Sequence, residues 1–256
     1  MEPHFDQLGI KLFADGADIV SIERLAADPR IKGFTTNPTL MRAAGVSDYR
    51  GFARDLLSLV PNRTVCFEVF ADDLMTMGDQ AREIASWGQN IYVKVPVSTT
   101  HGEFCGPVIA ALSSEGVKLN VTAVMTIEQV VLVRDAMADG TPAILSVFAG
   151  RIADTGRDPV PHMTHAAALL RGRPEVELLW ASPRELLNIF HADATGCQII
   201  TLTAELIKKL GVIGYDLDCY SRETVTMFRN DALAARYEIP LAAITRRRQR
   251  AASAVQ

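Results

Sequence analysis

The sequence predicts an α/β chain folded as a single (β/α)8 barrel of the TIM type, with an extra C-terminal helical segment. Three observations predict it. The chain has 256 residues, a length typical of one such barrel. Short apolar runs recur along it, with amphipathic stretches between them. Eight such β and α alternations, spaced by roughly 20 to 33 residues, favour closure into a barrel. A doubly wound open sheet is the structural runner-up, but it uses fewer units and binds ligands in a crevice where strand order reverses.

In chain order, strands are expected at 10–15, 33–37, 64–70, 90–96, 117–122, 143–148, 177–181 and 197–202. Several are apolar almost throughout (CFEVF, IYVKVPV, AILSVF), as parallel strands covered on both faces should be. The intervening helices are expected at 18–27, 49–59, 73–87, 106–114, 126–138, 161–170, 183–192 and 204–209. Asp48 and Ser182 stand where N-caps belong, and Pro183 suits a first helical position. Gly45, Gly88, Gly116, Gly140 and Gly172 fall at helix ends or in the turns after them. Past about residue 215 the strand pattern stops. A helix is expected over 222–237, and the terminal TRRRQRAASAVQ reads as a mobile, solvated basic tail. The chain is read as one domain over 1–256, with 215–256 as a helical extension.

Composition narrows the function. Nearly half the residues are apolar, so a large core needs no disulfide or metal. A net charge of -4 gives no general attraction to nucleic acid or an anionic membrane. Four scattered cysteines, Cys66, Cys105, Cys197 and Cys219, form no CxxC pair and no zinc spacing. Cys66 and Cys197 lie in apolar runs and read as buried thiols. The opening MEPHFDQLG has no basic or apolar signal region, and no stretch reaches the ~20 apolar residues that span a bilayer. A cytoplasmic protein without nucleic-acid or membrane partners is expected.

The chemistry of such a barrel sits at the C-terminal ends of its strands. Lys94 stands inside IYVKVPV, where burying a charged amine is costly, so the neutral amine needed for attack on a ketone becomes available. The alternative is a lysine that snorkels to solvent or pairs with a carboxylate. Glu68 in CFEVF and Asp15 at the end of KLFAD add two acid/base groups, although a strand-end carboxylate can equally cap a helix or pair with a cation. Thr122 and Ser146 end two further strands; their hydroxyls hold a water or a substrate hydroxyl, or are structural. Arg151 and Arg184 follow the sixth and seventh strands near the usual barrel phosphate site, with Ser182 beside them. Ordinary surface pairing is their alternative.

Five segments resemble the transaldolase family, and they occur in family order from about residue 10 to residue 205. GFTTNPT is similar to its strand-loop motif, IYVKVP to its lysine strand, LNVT to its threonine strand. ILSVFAGRI and WASPRE are similar to its serine-phenylalanine-glycine-arginine and serine-x-arginine segments. The resemblance implies that Lys94 is a Schiff-base lysine, Asp15 the acid/base for C–C bond cleavage, and Glu68 the partner of a water held near Thr122. It implies that Asn37 and Ser146 hold substrate hydroxyls, and that Arg151, Ser182 and Arg184 bind a terminal phosphate. A branch of the family acting as plain dihydroxyacetone-type aldolases tends to carry glutamine at Glu68 and tyrosine at Phe148. Glu68 and Phe148 therefore imply transfer of a three-carbon unit between sugar phosphates, as in the pentose phosphate pathway. No metal or cofactor is implied, because the imine is itself the electron sink. Short members form rings through C-terminal helices, which implies a homo-oligomer. The loop THGEFCGPV is unusual for the family and leaves room for a specialised sugar-building substrate. Rival readings are the plain aldolase, a non-catalytic sugar-phosphate-binding barrel, and a metal-dependent lyase using the HxxH pair His162 and His165.

Overall fold

In a computed structural model, which describes residues 8–239, eight parallel strands close into one barrel in sequence order. They are β1 (Lys11–Asp15), β2 (Ile31–Thr35), β3 (Thr64–Glu68), β4 (Ile91–Pro96), β5 (Leu119–Val124), β6 (Ala143–Val147), β7 (Val176–Trp180) and β8 (Ile199–Thr203). The expected fold class holds. The ring closes by pairing β1 with β8, from Lys11 opposite Ile199 to Asp15 opposite Thr203.

The helices are α1 (Ile19–Ala26), α2 (Pro38–Ala43), α3 (Tyr49–Leu59), α4 (Leu74–Ala85), α5 (Gly106–Ser114), α6 (Ile127–Ala136), α7 (Ala149–Asp154), α8 (Pro159–Leu170), α9 (Leu187–Ala194), α10 (Ala204–Lys208) and α11 (Leu217–Ala234). Most begin at a short polar side chain that accepts from the first-turn amides, which otherwise lack partners. Asp48 does this for α3, accepting from the Gly51 N–H at 2.9 Å. Thr126 and Gln129 form a reciprocal capping box on α6.

Several features depart from the expected elements, among them β2, which runs two residues earlier than expected. The six-residue helices α2 and α7 directly follow strands and are too short to show a helical period. The helix expected from Pro183 starts only at Leu187, and its cap position is Leu186, not Ser182. Ser182 instead adopts a left-handed backbone, φ 58°, outside the extended conformation typical of an N-cap.

Side-chain alternation places the site. Phe13, Cys66, Ile144, Leu179 and Ile199 form one buried cluster, with Tyr92 against it. Residues two apart on a strand share a face. Two positions beyond these six therefore come Asp15, Glu68, Ser146, Ala181, Thr201 and Lys94 on the same side. An apolar plug fills the lower barrel, and polar groups gather at the C-terminal strand ends above it. Gly33 makes room for the plug, since a Cβ there would lie 2.6 Å from the Phe13 ring. The other strand face packs against the helices in a much larger apolar cluster.

The chain divides into two compact units after Ile213. The second contains α11, capped by Asp216, which accepts from the Cys219 N–H at 2.7 Å. This helix starts five residues before the expected 222–237 segment. The basic run 245–256 lies outside the described residues. Among those residues, no helix is long and apolar enough to cross a membrane. Cys66 and Cys197 are buried free thiols, as read from their apolar neighbours, and Cys105 is buried as well.

Candidate active site

A cavity of about 410 Å³ opens at the C-terminal end of the barrel, lined by Asp15, Asn37, Glu68, Lys94, Thr122, Ser146, Phe148, Arg151 and Ser182. Nine of the ten site residues expected from sequence thus meet in one space. The tenth, Arg184, is not in the lining. Its guanidinium is engaged by Asp154, with Nε 3.0 Å from Oδ1 and a second, shorter contact from Nη2 to Oδ2.

Lys94 is only 7% exposed. Its Nζ donates to the Thr36 carbonyl at 2.8 Å and lies 3.0 Å from Glu68 Oε2 as an ion pair. Strand register explains the pairing, because Glu68 and Lys94 are direct neighbours across β3 and β4. The carbonyl of Thr36 is available where the chain leaves β2 for α2. A buried amine with one carboxylate in contact can pass a proton to that carboxylate without water.

Asp15 accepts from the Thr35 hydroxyl at 2.8 Å and from Asn37 Nδ2 at 3.5 Å, the latter a long contact. Thr35 spends its single proton on Asp15, so the 2.6 Å contact between Thr35 and Thr201 has Thr201 as donor. Burial pushes the Asp15 carboxyl above the usual carboxylate range, against the pull of Lys94 and the Thr35 hydroxyl. Asn37 also caps α2, its Oδ1 accepting from the Leu40 N–H at 3.0 Å. The Cys66 thiol is pushed up to about 11 by burial and is chemically quiet.

Thr35, Thr201 and Asn120, which the sequence pattern does not single out, also line the cavity. Asn120 is opposite Lys94 in the register of β4 and β5. Its Oδ1 accepts from Ser146 Oγ at 2.7 Å, and its side chain also interacts with the Cys66 thiol. A polar residue two positions before Thr122 in an apolar strand was the available signal. Beyond Thr122 the register to β6 slips, and Ala123 takes a left-handed φ of 61°. Such a bulge re-aims side chains at a strand end.

The Arg151 end of the cavity depends on backbone contact between distant loops. The Gly150 N–H donates to the Ala181 carbonyl at 3.2 Å. A Cβ at Gly150 would lie 1.5 Å from the Ser182 carbonyl oxygen, so only glycine permits this approach. The contact brings Arg151 and Ser182 to one end of the cavity, with the Arg151 guanidinium 5.5 Å from the centre of the Phe148 ring.

His162 and His165 lie on α8 and do not line the cavity. Among the described residues, no group of three or more His, Cys, Asp or Glu side chains is placed to hold a metal ion.

A closed barrel thus carries a buried lysine, two carboxylates and an arginine in one cavity at its strand ends. Comparison identifies the family. A family model described as Transaldolase/Fructose-6-phosphate aldolase matches residues 12–247. A protein of Dehalococcoides mccartyi named "Probable transaldolase" is 32% identical over 202 residues, covering 78% of this chain and 90% of that protein. One from Nitrosopumilus maritimus with the same name is 29% identical over 206 residues, covering 78% and 87%. Among solved structures, 3-hexulose-6-phosphate synthase superposes with a TM-score of 0.52 at 15% identity, covering 76% of this chain and 89% of that one. 2,3-Dimethylmalate lyase gives 0.55 at 13% identity, with 87% and 83% covered. These two likenesses speak to the barrel alone. The chain belongs to the transaldolase/fructose-6-phosphate aldolase family, and with it to the aldolase–transaldolase class of enzymes.

Proposed function

We propose that this protein is a transaldolase that moves a three-carbon dihydroxyacetone unit from a ketose phosphate to an aldose phosphate through a Schiff base on Lys94. Fructose 6-phosphate and sedoheptulose 7-phosphate are the donors tested first. The observation that carries this reading is the buried Lys94 amine, 3.0 Å from Glu68 and in one cavity with Asp15.

Glu68 takes the proton that Nζ must lose, and the free lone pair attacks C2 of the ketose. The carbonyl π pair moves to oxygen, which gains one proton from the attacking nitrogen and a second returned by Glu68, and leaves as water as the nitrogen lone pair forms the protonated imine. Glu68, through a water beside Thr122, handles those proton transfers. Asp15 takes the C4 hydroxyl proton as the C3–C4 bonding pair flows into the imine. The aldose phosphate departs and a three-carbon enamine stays on Lys94. An incoming aldose phosphate is attacked by that enamine, Asp15 returns its proton to the new alkoxide, and water releases the product ketose. The carboxyl of Asp15, held above its ordinary range, suits a group that must accept and return a proton in each cycle.

Borohydride reduction with fructose 6-phosphate, followed by peptide mass spectrometry, tests the reading. A dihydroxyacetone adduct on Lys94 supports it. Absence of an adduct with both fructose 6-phosphate and sedoheptulose 7-phosphate overturns it.

Two smaller effects are expected at the ends of the cavity. Arg151 faces the cavity, whereas Arg184 is held by Asp154. Arg151→Ala should therefore raise KM for a phosphorylated donor by about 10- to 100-fold, the loss of a charge-assisted arginine–phosphate contact. Arg184→Ala should raise it far less, and steady-state kinetics on both variants separates them. Phe148 lines the cavity without a hydroxyl. Phe148→Tyr supplies one able to protonate the enamine, so free dihydroxyacetone should appear faster from fructose 6-phosphate without an acceptor. An unchanged release rate would remove Phe148 from the control of transfer against cleavage.

A further inference from the structure

Strand β3 loses its neighbour just where Glu68 needs one. In a parallel sheet the N–H and C=O of one residue face the same adjoining strand, and the next residue faces the other way. Cys66 faces β2, since its carbonyl accepts from the Thr36 N–H at 3.3 Å and the Thr36 hydroxyl at 3.1 Å. Val69 faces β4, donating to the Lys94 carbonyl at 3.1 Å. Glu68 therefore faces the β2 side, two residues beyond Cys66. Its pairing with β2 has ended there, because register between the two strands stops at Thr35 opposite Cys66.

Both orphaned groups are taken by one hydroxyl. Tyr49 Oη donates to the Glu68 carbonyl at 2.9 Å and accepts from the Glu68 N–H at 2.8 Å. It does for Glu68 what a peptide of a neighbouring strand would do. Tyr49 is itself fixed at the first position of α3, beside the Asp48 cap. Its ring is packed on Phe67 at 5.9 Å, Phe70 at 4.8 Å and Trp87 at 5.6 Å between centroids. The phenol is thus clamped by rings on one side and by the Glu68 backbone on the other.

We infer that Tyr49 is a positioning residue for the proton transfers at Lys94, acting by fixing the Glu68 backbone so that the carboxylate stays within reach of Nζ. This rests on the Schiff-base reading above. Tyr49 does not line the cavity, so its loss should be felt in the steps that use Glu68, imine formation and hydrolysis. C–C cleavage, which uses Asp15, should be spared.

The test is the rate of borohydride-trappable adduct formation in Tyr49→Phe, Glu68→Gln and the double variant. Tyr49→Phe should slow trapping on the order of tenfold, as for slight misplacement of a reacting group, with KM nearly unchanged. In the Glu68→Gln background, Tyr49→Phe should add little, because the group it positions is already gone. Trp87→Phe trims the same aromatic cluster without touching Glu68, and should lower Tm while leaving trapping at the wild-type rate. Amide hydrogen exchange on the wild-type protein gives a readout that needs no variant to fold, and the Glu68 N–H should be protected. Wild-type trapping rates in Tyr49→Phe, full multiplication of the two effects in the double variant, or an unprotected Glu68 amide would each overturn the inference and leave the Schiff base standing. No adduct in the wild-type protein would overturn both.

Discussion

Lys94→Met is expected to lower turnover by about 10⁴-fold or more, the scale seen when a covalent nucleophile is removed. No borohydride adduct should form. The fold should survive, because methionine nearly matches the lysine side chain in length and belongs among the apolar neighbours of β4. Two stability effects oppose each other. Glu68 and the Thr36 carbonyl lose their partner, while the cost of keeping the polar lysine head buried disappears. Removing one partner of a buried ion pair costs up to about 3 to 5 kcal/mol, so the fold of the variant is checked by circular dichroism beside its activity. Lys94→Arg sharpens the result. It keeps the positive charge beside Glu68 but has no neutral amine near neutral pH, and it should be as inactive as the methionine variant. Residual activity at a tenth of wild type in either variant would sink the covalent assignment.

Much of this site could be read before the structure because it is written at short range. A strand exposes every second residue to the same side, so Asp15, Glu68, Lys94 and Ser146 each stand out as a polar residue within or at the end of an apolar run. Once the barrel closes, those ends converge. Arg184 shows where local reading stops. Whether an arginine after β7 turns into the cavity or toward Asp154, 30 residues earlier, depends on a long-range contact with no sequence pattern. The same holds for Ser182. Its neighbours Pro183 and Arg184 suggest a helix start, yet close approach of Gly150 from another loop fixes a left-handed backbone there. Asn120 was missed for a different reason. Its carboxamide looks like an isolated polar residue in LNVT, and only the register with β4 brings it beside Lys94. The Tyr49 clamp is less legible still, because it depends on which side of β3 loses its partner strand.

Asp15→Asn should separate stability from activity in opposite directions. The carboxyl of Asp15 is held above its unfolded value mainly by burial, with Glu68 adding a little in the same sense. A folded state that binds this proton more tightly than the unfolded chain is favoured by Asp15 at low pH, and that advantage fades as pH rises through the folded value. Below the ordinary carboxylate range near 3.8 both states are protonated. At neutral pH, therefore, the buried charge weighs against folding, despite the attraction of Lys94. Asparagine is neutral at every pH and keeps an oxygen to accept from the Thr35 hydroxyl. Chemical denaturation should show the variant more stable than wild type at pH 7, with the difference shrinking toward acid. Transfer activity should fall by about 10² to 10⁴-fold, the usual worth of a placed acid/base group. Imine formation, which uses Glu68, should persist, so borohydride should still trap sugar on Lys94, now as the uncleaved ketose. A variant that traps the three-carbon fragment at the wild-type rate would show that Asp15 does not take the C4 hydroxyl proton. One that is less stable at pH 7 would show that the pull of Lys94 outweighs the cost of burying the carboxylate.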